Sequence, residues 1–132
     1  MKYADIYMRL SYETAVVVFL KKDGSVRLLL GTRNLSTISL MYGFQGTELG
    51  KMDFRCNINN GNIALFDLII GEARQFNIDR LIDIQFAGNI DTKEKLDDVF
   101  EKFNKFKKEY EATKPMSLDM NTFDNTNIGG NL

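Results

Sequence analysis

Residues 14–20 read Thr-Ala-Val-Val-Val-Phe-Leu, a β-branched and aromatic run suited to a strand. Lys22-Asp23-Gly24-Ser25 follows, and residues 26–31 return as a second apolar run. Asp-Gly between two such runs signals a tight hairpin, because Gly accepts the positive φ that the turn needs. A two-residue loop sets Phe19 opposite Leu28, Val17 opposite Leu30 and Leu20 opposite Arg27. One face then carries Val17, Phe19, Val26, Leu28 and Leu30, and the other Val16, Val18, Leu20 and Leu29. A hairpin apolar on both faces needs a cover on each. That requirement limits the chain to a small layered or rolled β-fold.

The elements that could supply the covers are legible. Tyr3, Ile6, Tyr7 and Leu10 recur at helical spacing, which predicts a short amphipathic helix over 2–10. Residues 35–42 predict a short helix or turn ended by Gly43, and 44–51, with three glycines, a loop. Met52, Phe54, Cys56 and Ile58 alternate with Asp53, Arg55 and Asn57, as a half-buried strand does. Asn59-Asn60-Gly61-Asn62 is a second hairpin signal, returning through 63–70. Strands over 73–78 and 82–86, with a tight turn at 79–81, complete the β region. Asp91 with Glu94 resembles a capping box. Beyond it Leu96, Val99, Phe100, Phe103, Phe106 and Tyr110 form one apolar stripe over 92–111, ended by Lys114-Pro115. Its Leu96, Phe100 and Phe103 are expected to cover part of the hairpin's second face. In the tail, Met116, Leu118 and Met120 alternate with Ser117 and Asp119, and Phe123 and Ile128 follow. A solvated tail does not need them, so it is expected either to fold back or to dock on a neighbouring subunit.

The expected fold class is α+β, mainly β: a small barrel or rolled sheet with a short N-terminal helix, a long C-terminal amphipathic helix and an extended tail. The expected division is 1–90 for the first helix and barrel, 91–112 for the helix on or beside it, and 113–132 for the tail.

Composition narrows the chemistry. The 132 residues contain no His and one Cys. Triads and dyads that use His, His metal ligands, Cys-based zinc sites and internal disulfides are therefore excluded. Cys56, in a strand-like run, reads as a buried, inert thiol. Asp53, Asp67, Asp79 and Asp83 could pair for acid–base work, but they sit on strands or strand ends among arginines, so no enzyme, cofactor or metal is expected. Gly43 to Gly50 is Gly-rich without the Lys-Ser/Thr of a phosphate-binding loop. No apolar run reaches the length of a membrane span, and the N-terminus lacks a signal-peptide layout, so a reducing, cytosolic setting is expected.

One set of residues resembles a known family. Val17-Val18-Phe19-Leu20-Lys21-Lys22-Asp23-Gly24-Ser25-Val26-Arg27, ending in Gly31-Thr32-Arg33-Asn34, resembles the opening hairpin of small phage-encoded proteins related to WYL domains. These are described as Sm-like or SH3-like β-barrels. Asn62 to Leu68 and Gly71 to Ile82, with Arg74-x-Phe76-x-x-x-Arg80, look like that family's second half. The resemblance covers roughly 15–86, and Ala73 stands where the family often has Trp. It implies a nucleotide or nucleic-acid ligand, with Arg74 and Arg80 at motif positions and Arg33 and Asn34 directly after a strand. Arg27 and Arg55 join them as ligand-binding candidates, since the guanidinium fork suits phosphates and bases. Tyr42 and Phe44 could stack on bases.

With 17 Lys and Arg against 18 Asp and Glu, net charge is −1, so any nucleic-acid contact needs a local patch. The leading expectation is a non-catalytic phage accessory protein, in the host cytoplasm or on the virion, that binds nucleic acid or a nucleotide. The alternative is an assembly subunit or homo-oligomer that meets protein partners through the helix stripe and through Met116, Leu118, Met120 and Phe123. A weaker alternative is a sponge for a host signalling nucleotide.

Overall fold

A computed structural model describes residues 2–43 and 55–113. The elements in order are α1 (Tyr3–Leu10), β1 (Thr14–Leu20), β2 (Val26–Thr32), α2 (Leu35–Tyr42), β3 (Asn62–Asp67), β4 (Glu72–Asn77), a single 3-10 turn (Ile78–Arg80), β5 (Leu81–Phe86) and α3 (Lys93–Thr113). The strands form one antiparallel sheet in the order β4-β3-β2-β1-β5.

The first hairpin differs from its expected register by one residue. Leu20 pairs with Val26, Phe19 with Arg27 and Val17 with Leu29. The loop holds three residues, Lys22-Asp23-Gly24, with Gly24 at φ 88. Lys21 N–H donates to the Ser25 carbonyl at 2.8 Å, and Gly24 N–H donates to the Lys21 carbonyl at 3.0 Å. The Asp23 carboxylate accepts from the Ser25 N–H and hydroxyl at 2.9 and 2.6 Å, which holds its pKa below the ordinary value. A type I turn followed by a left-handed Gly builds this loop, and the extra residue inverts the faces of the return strand. Leu29 therefore joins Val17 and Phe19, while Leu28 and Leu30 point to the other side with Val16.

Each face has its cover. On the concave side Ala15, Val17, Phe19, Leu29, Ile63, Leu65 and Phe76 pack with Ile6 and Leu10 of α1. Leu81, Ile84 and Phe86 of β5 reach the same cluster as Phe76 of β4, so the sheet rolls until its two outer strands share a core. No ladder joins β4 to β5 among the described residues, so the roll is open in hydrogen bonding. The 3-10 turn carries the chain straight from one outer strand to the other. On the convex side Leu30, Ile38, Phe66 and Leu68 pack with Ile90 and with Leu96, Val99 and Phe103 of α3. The expected cover by α3 is present, with Phe100 at its margin.

Other boundaries moved for local reasons. Arg55 and Cys56 lie outside any strand, and Asn57 makes only an isolated bridge to Asn62. In β5 the register slips beside Val18 and Phe19. That bulge turns Leu81 inward and leaves Ile82 51% exposed, where simple alternation had placed Ile82 with Ile84 and Phe86. The start of α3 is capped by Thr92, whose hydroxyl accepts from Lys95 N–H at 3.2 Å, and not by Asp91. Asp91 instead pairs with Lys95 at 2.8 Å.

Phe103 is 4% exposed in the convex core. Phe103→Ala is expected to lower stability by about 3–5 kcal/mol in urea titration. Gly24 has open space at its Cβ position, so Gly24→Ala meets only the left-handed backbone cost, about 1 kcal/mol.

Candidate anion-binding groove

The hairpin end and the β4–β5 corner meet in a groove of about 640 Å³. Five cationic side chains line it: Lys21 and Lys22 from the hairpin turn, Arg27 from β2, Arg74 from β4 and Arg80 from the 3-10 turn. The register explains the gathering. Arg27 sits opposite Phe19 and Arg74 opposite Leu65, so both start from the concave side, Arg27 near the hairpin end of β2 and Arg74 within β4. Arg80 donates from a terminal guanidinium nitrogen to the Lys21 carbonyl at 3.1 Å, which ties the corner to the hairpin. Phe19 and Phe76 form the floor, with ring centroids 5.9 Å apart, and are buried. Asn62, Gln75 and Asn77 add amides, and Ala73 lines the same groove.

Among the described residues no carboxylate lines this groove. No carboxylate of the described residues comes within ion-pair distance of Lys21, Lys22, Arg27 or Arg80, although the Lys21 charge helps lower the pKa of Asp23 in the same loop. Arg74 is different. Its guanidinium lies 3.9 Å from both Asp67 and Glu72, and its Nε is buried without a hydrogen-bond partner. Asp67 is buried, and one carboxylate oxygen accepts from the Ile69 and Ile70 N–H groups at 2.9 and 3.1 Å. Arg74 is thus partly neutralised, and the other four cations carry most of the positive field.

The family model for WYL_2, described as an Sm-like SH3 β-barrel fold, matches residues 4–82. The chain belongs to the WYL_2 family. A curated relative, an uncharacterized 11.5 kDa protein from the Gp31-cd intergenic region of Enterobacteria phage T4, is 33% identical over 76 residues. Those residues are 58% of this chain and 70% of the relative. No solved structure matches. The WYL_2 match runs from within α1 through β4 to the first two residues of β5, and stops before α3.

Within this WYL_2 fold, three of the six ligand-binding candidates come together: Arg27, Arg74 and Arg80. Arg33 and Asn34 lie at the far end of β2, about 20 Å from Arg27 at strand rise. The Arg33 guanidinium donates to the Ala64 carbonyl and sits over the Tyr7 ring, 4.8 Å from its centroid, while its backbone N–H donates to Leu10 at 2.8 Å. Arg33 thereby ties α1 to the sheet. Asn34 caps α2 by accepting from Ser36 N–H at 3.0 Å, and its amide nitrogen donates to Tyr12 O and Asn89 Oδ1. Arg55 is exposed and does not line the groove. Tyr42 is no stacking platform: its hydroxyl donates to the Leu68 carbonyl at 2.6 Å and its ring meets Phe66 edge-on. Burial and the Asp67 charge raise the Tyr42 pKa. Phe44, Met116, Leu118, Met120 and Phe123 lie outside the described residues. Sequence reasoning missed Lys21 and Lys22 as site residues; their place in the loop beside Asp23-Gly24 was the available signal.

Asn34→Ala removes a helix cap and two tethers. It is expected to cost about 1–2 kcal/mol in urea titration.

Proposed function

We propose that this chain is a non-catalytic binding module whose groove takes the phosphates of a nucleic acid or nucleotide. The observation that supports this most is the cluster of Lys21, Lys22, Arg27 and Arg80 in one groove with no carboxylate in ion-pair contact among the described residues. Guanidinium forks and ammonium groups recognise phosphate through charge-assisted hydrogen bonds. The Gln75 amide can add a hydrogen bond to a sugar hydroxyl or phosphate, whereas Asn77 is engaged with Asn60, Asn62 and Asp79. The overall charge of −1 does not oppose the reading, because a net charge says nothing of where the five cationic side chains are gathered.

The competing reading, an assembly subunit acting through the helix stripe, has less support. Leu96, Val99 and Phe103 of that stripe are buried on the protein's own sheet.

The test is fluorescence anisotropy with labelled single-stranded DNA, RNA and nucleotides across salt. Binding is expected at low salt and is expected to fall steeply as salt rises. Arg27→Gln and Arg80→Gln should each weaken it by about tenfold, from the loss of one charged hydrogen bond of about 1.5 kcal/mol. Arg33→Lys should leave affinity unchanged while lowering thermal stability. Absence of binding at low salt defeats the proposal.

A further inference from the structure

The cationic groove does not end at the hairpin. A second groove of about 290 Å³ opens on the other side, and the two share Lys21 and Arg27 as a common ridge. The second groove runs past Ile69 and Ile70, exposed by 47% and 44%, to Lys107 of α3. Lys107 has no carboxylate partner among the described residues. It also lies beyond the stretch matched by the family model, which ends at residue 82. Two acidic residues line this second groove. Asp67 is buried, with one oxygen engaged by backbone N–H groups. Glu111 is exposed one helical turn beyond Lys107.

We propose that the ligand is a single-stranded nucleic acid whose backbone passes from the Arg74–Arg80 groove over the Lys21–Arg27 ridge to Lys107. This rests on the groove binding phosphate at all. A mononucleotide can fill one groove, but only a polyanion can engage cations on both sides of a ridge. The cations line concave clefts, which admit a flexible strand more readily than a rigid duplex. Exposed Ile69 and Ile70 offer apolar surface to unstacked bases. The groove aromatics Phe19, Phe76 and Phe103 are buried, so the usual stacking platforms are not offered. Binding is therefore driven by phosphate contacts and is indifferent to base identity. If Lys21, Lys22, Arg27, Arg80 and Lys107 each neutralise one phosphate, the plot of log affinity against log salt has a slope of about −3.5.

The full chain is titrated by fluorescence anisotropy with labelled oligo(dT) of four and twelve nucleotides, matched oligo(U), and a twelve-base-pair duplex. The twelve-mer is expected to bind at least tenfold more tightly than the four-mer or the duplex. Lys107→Ala should weaken the twelve-mer several-fold and flatten its salt slope by about 0.7, with the four-mer unaffected. Glu111→Gln should strengthen the twelve-mer, a gain that misfolding cannot mimic. The DNA and RNA arms show which backbone is preferred, and tight binding of either supports the path. Equal affinity for four-mer and twelve-mer, no effect of Lys107→Ala, or equal affinity for the duplex overturns it. If Arg27→Gln still weakens the four-mer, the groove itself survives that failure. If no oligonucleotide binds, both readings fall.

Discussion

The β1–β2 hairpin is apolar on both faces, and the rest of the molecule is organised around covering them. Val17, Phe19 and Leu29 draw α1 and the rolled ends of the sheet onto the concave side. Val16, Leu28 and Leu30 draw α2 and α3 onto the convex side. Burial of this kind contributes roughly 1.5–3 kcal/mol for each large side chain, so two half-cores of a size that would be marginal alone reinforce each other through one shared ladder. Gly31 marks how close β2 and β3 come within the sheet. A Cβ there would stand 2.7 Å from Leu65 and 2.8 Å from the Phe66 carbonyl, so the β2–β3 pairing depends on the missing side chain.

Most elements were legible because their signals are local: alternation, helical spacing and turn glycines. What was not legible depended on which of two nearly equal local solutions the tertiary structure selects. Lys22-Asp23-Gly24 accommodates a two- or a three-residue loop, and one residue decides on which face Leu28 lies. Thr92 and Asp91 are both good caps, and the pairing of Asp91 with Lys95 left the cap to Thr92. Ile82 follows the alternation, but the bulge in β5 turns Leu81 inward in its place.

The site was legible in part for the same reason. Arginines could be counted, but their geometry could not. Arg27, Arg74 and Arg80 converge because the hairpin end of β2, β4 and the corner after it meet there, whereas Arg33 reaches between α1 and the sheet to a carbonyl and an aromatic ring. Net charge was equally blind to placement. A chain at −1 still gathers five cationic side chains in one groove, which the sum does not show.

The packing of α3 has a consequence for how the molecule opens. The family-matched stretch ends at residue 82, yet Leu96, Val99 and Phe103 complete the core on the outer side of the hairpin. The helix cannot lift away without exposing Leu30 and Phe66 of the central strands to water. Its amides should therefore exchange with deuterium in the same slow class as those of β1 and β2, as one cooperative unit and not as a fraying appendage.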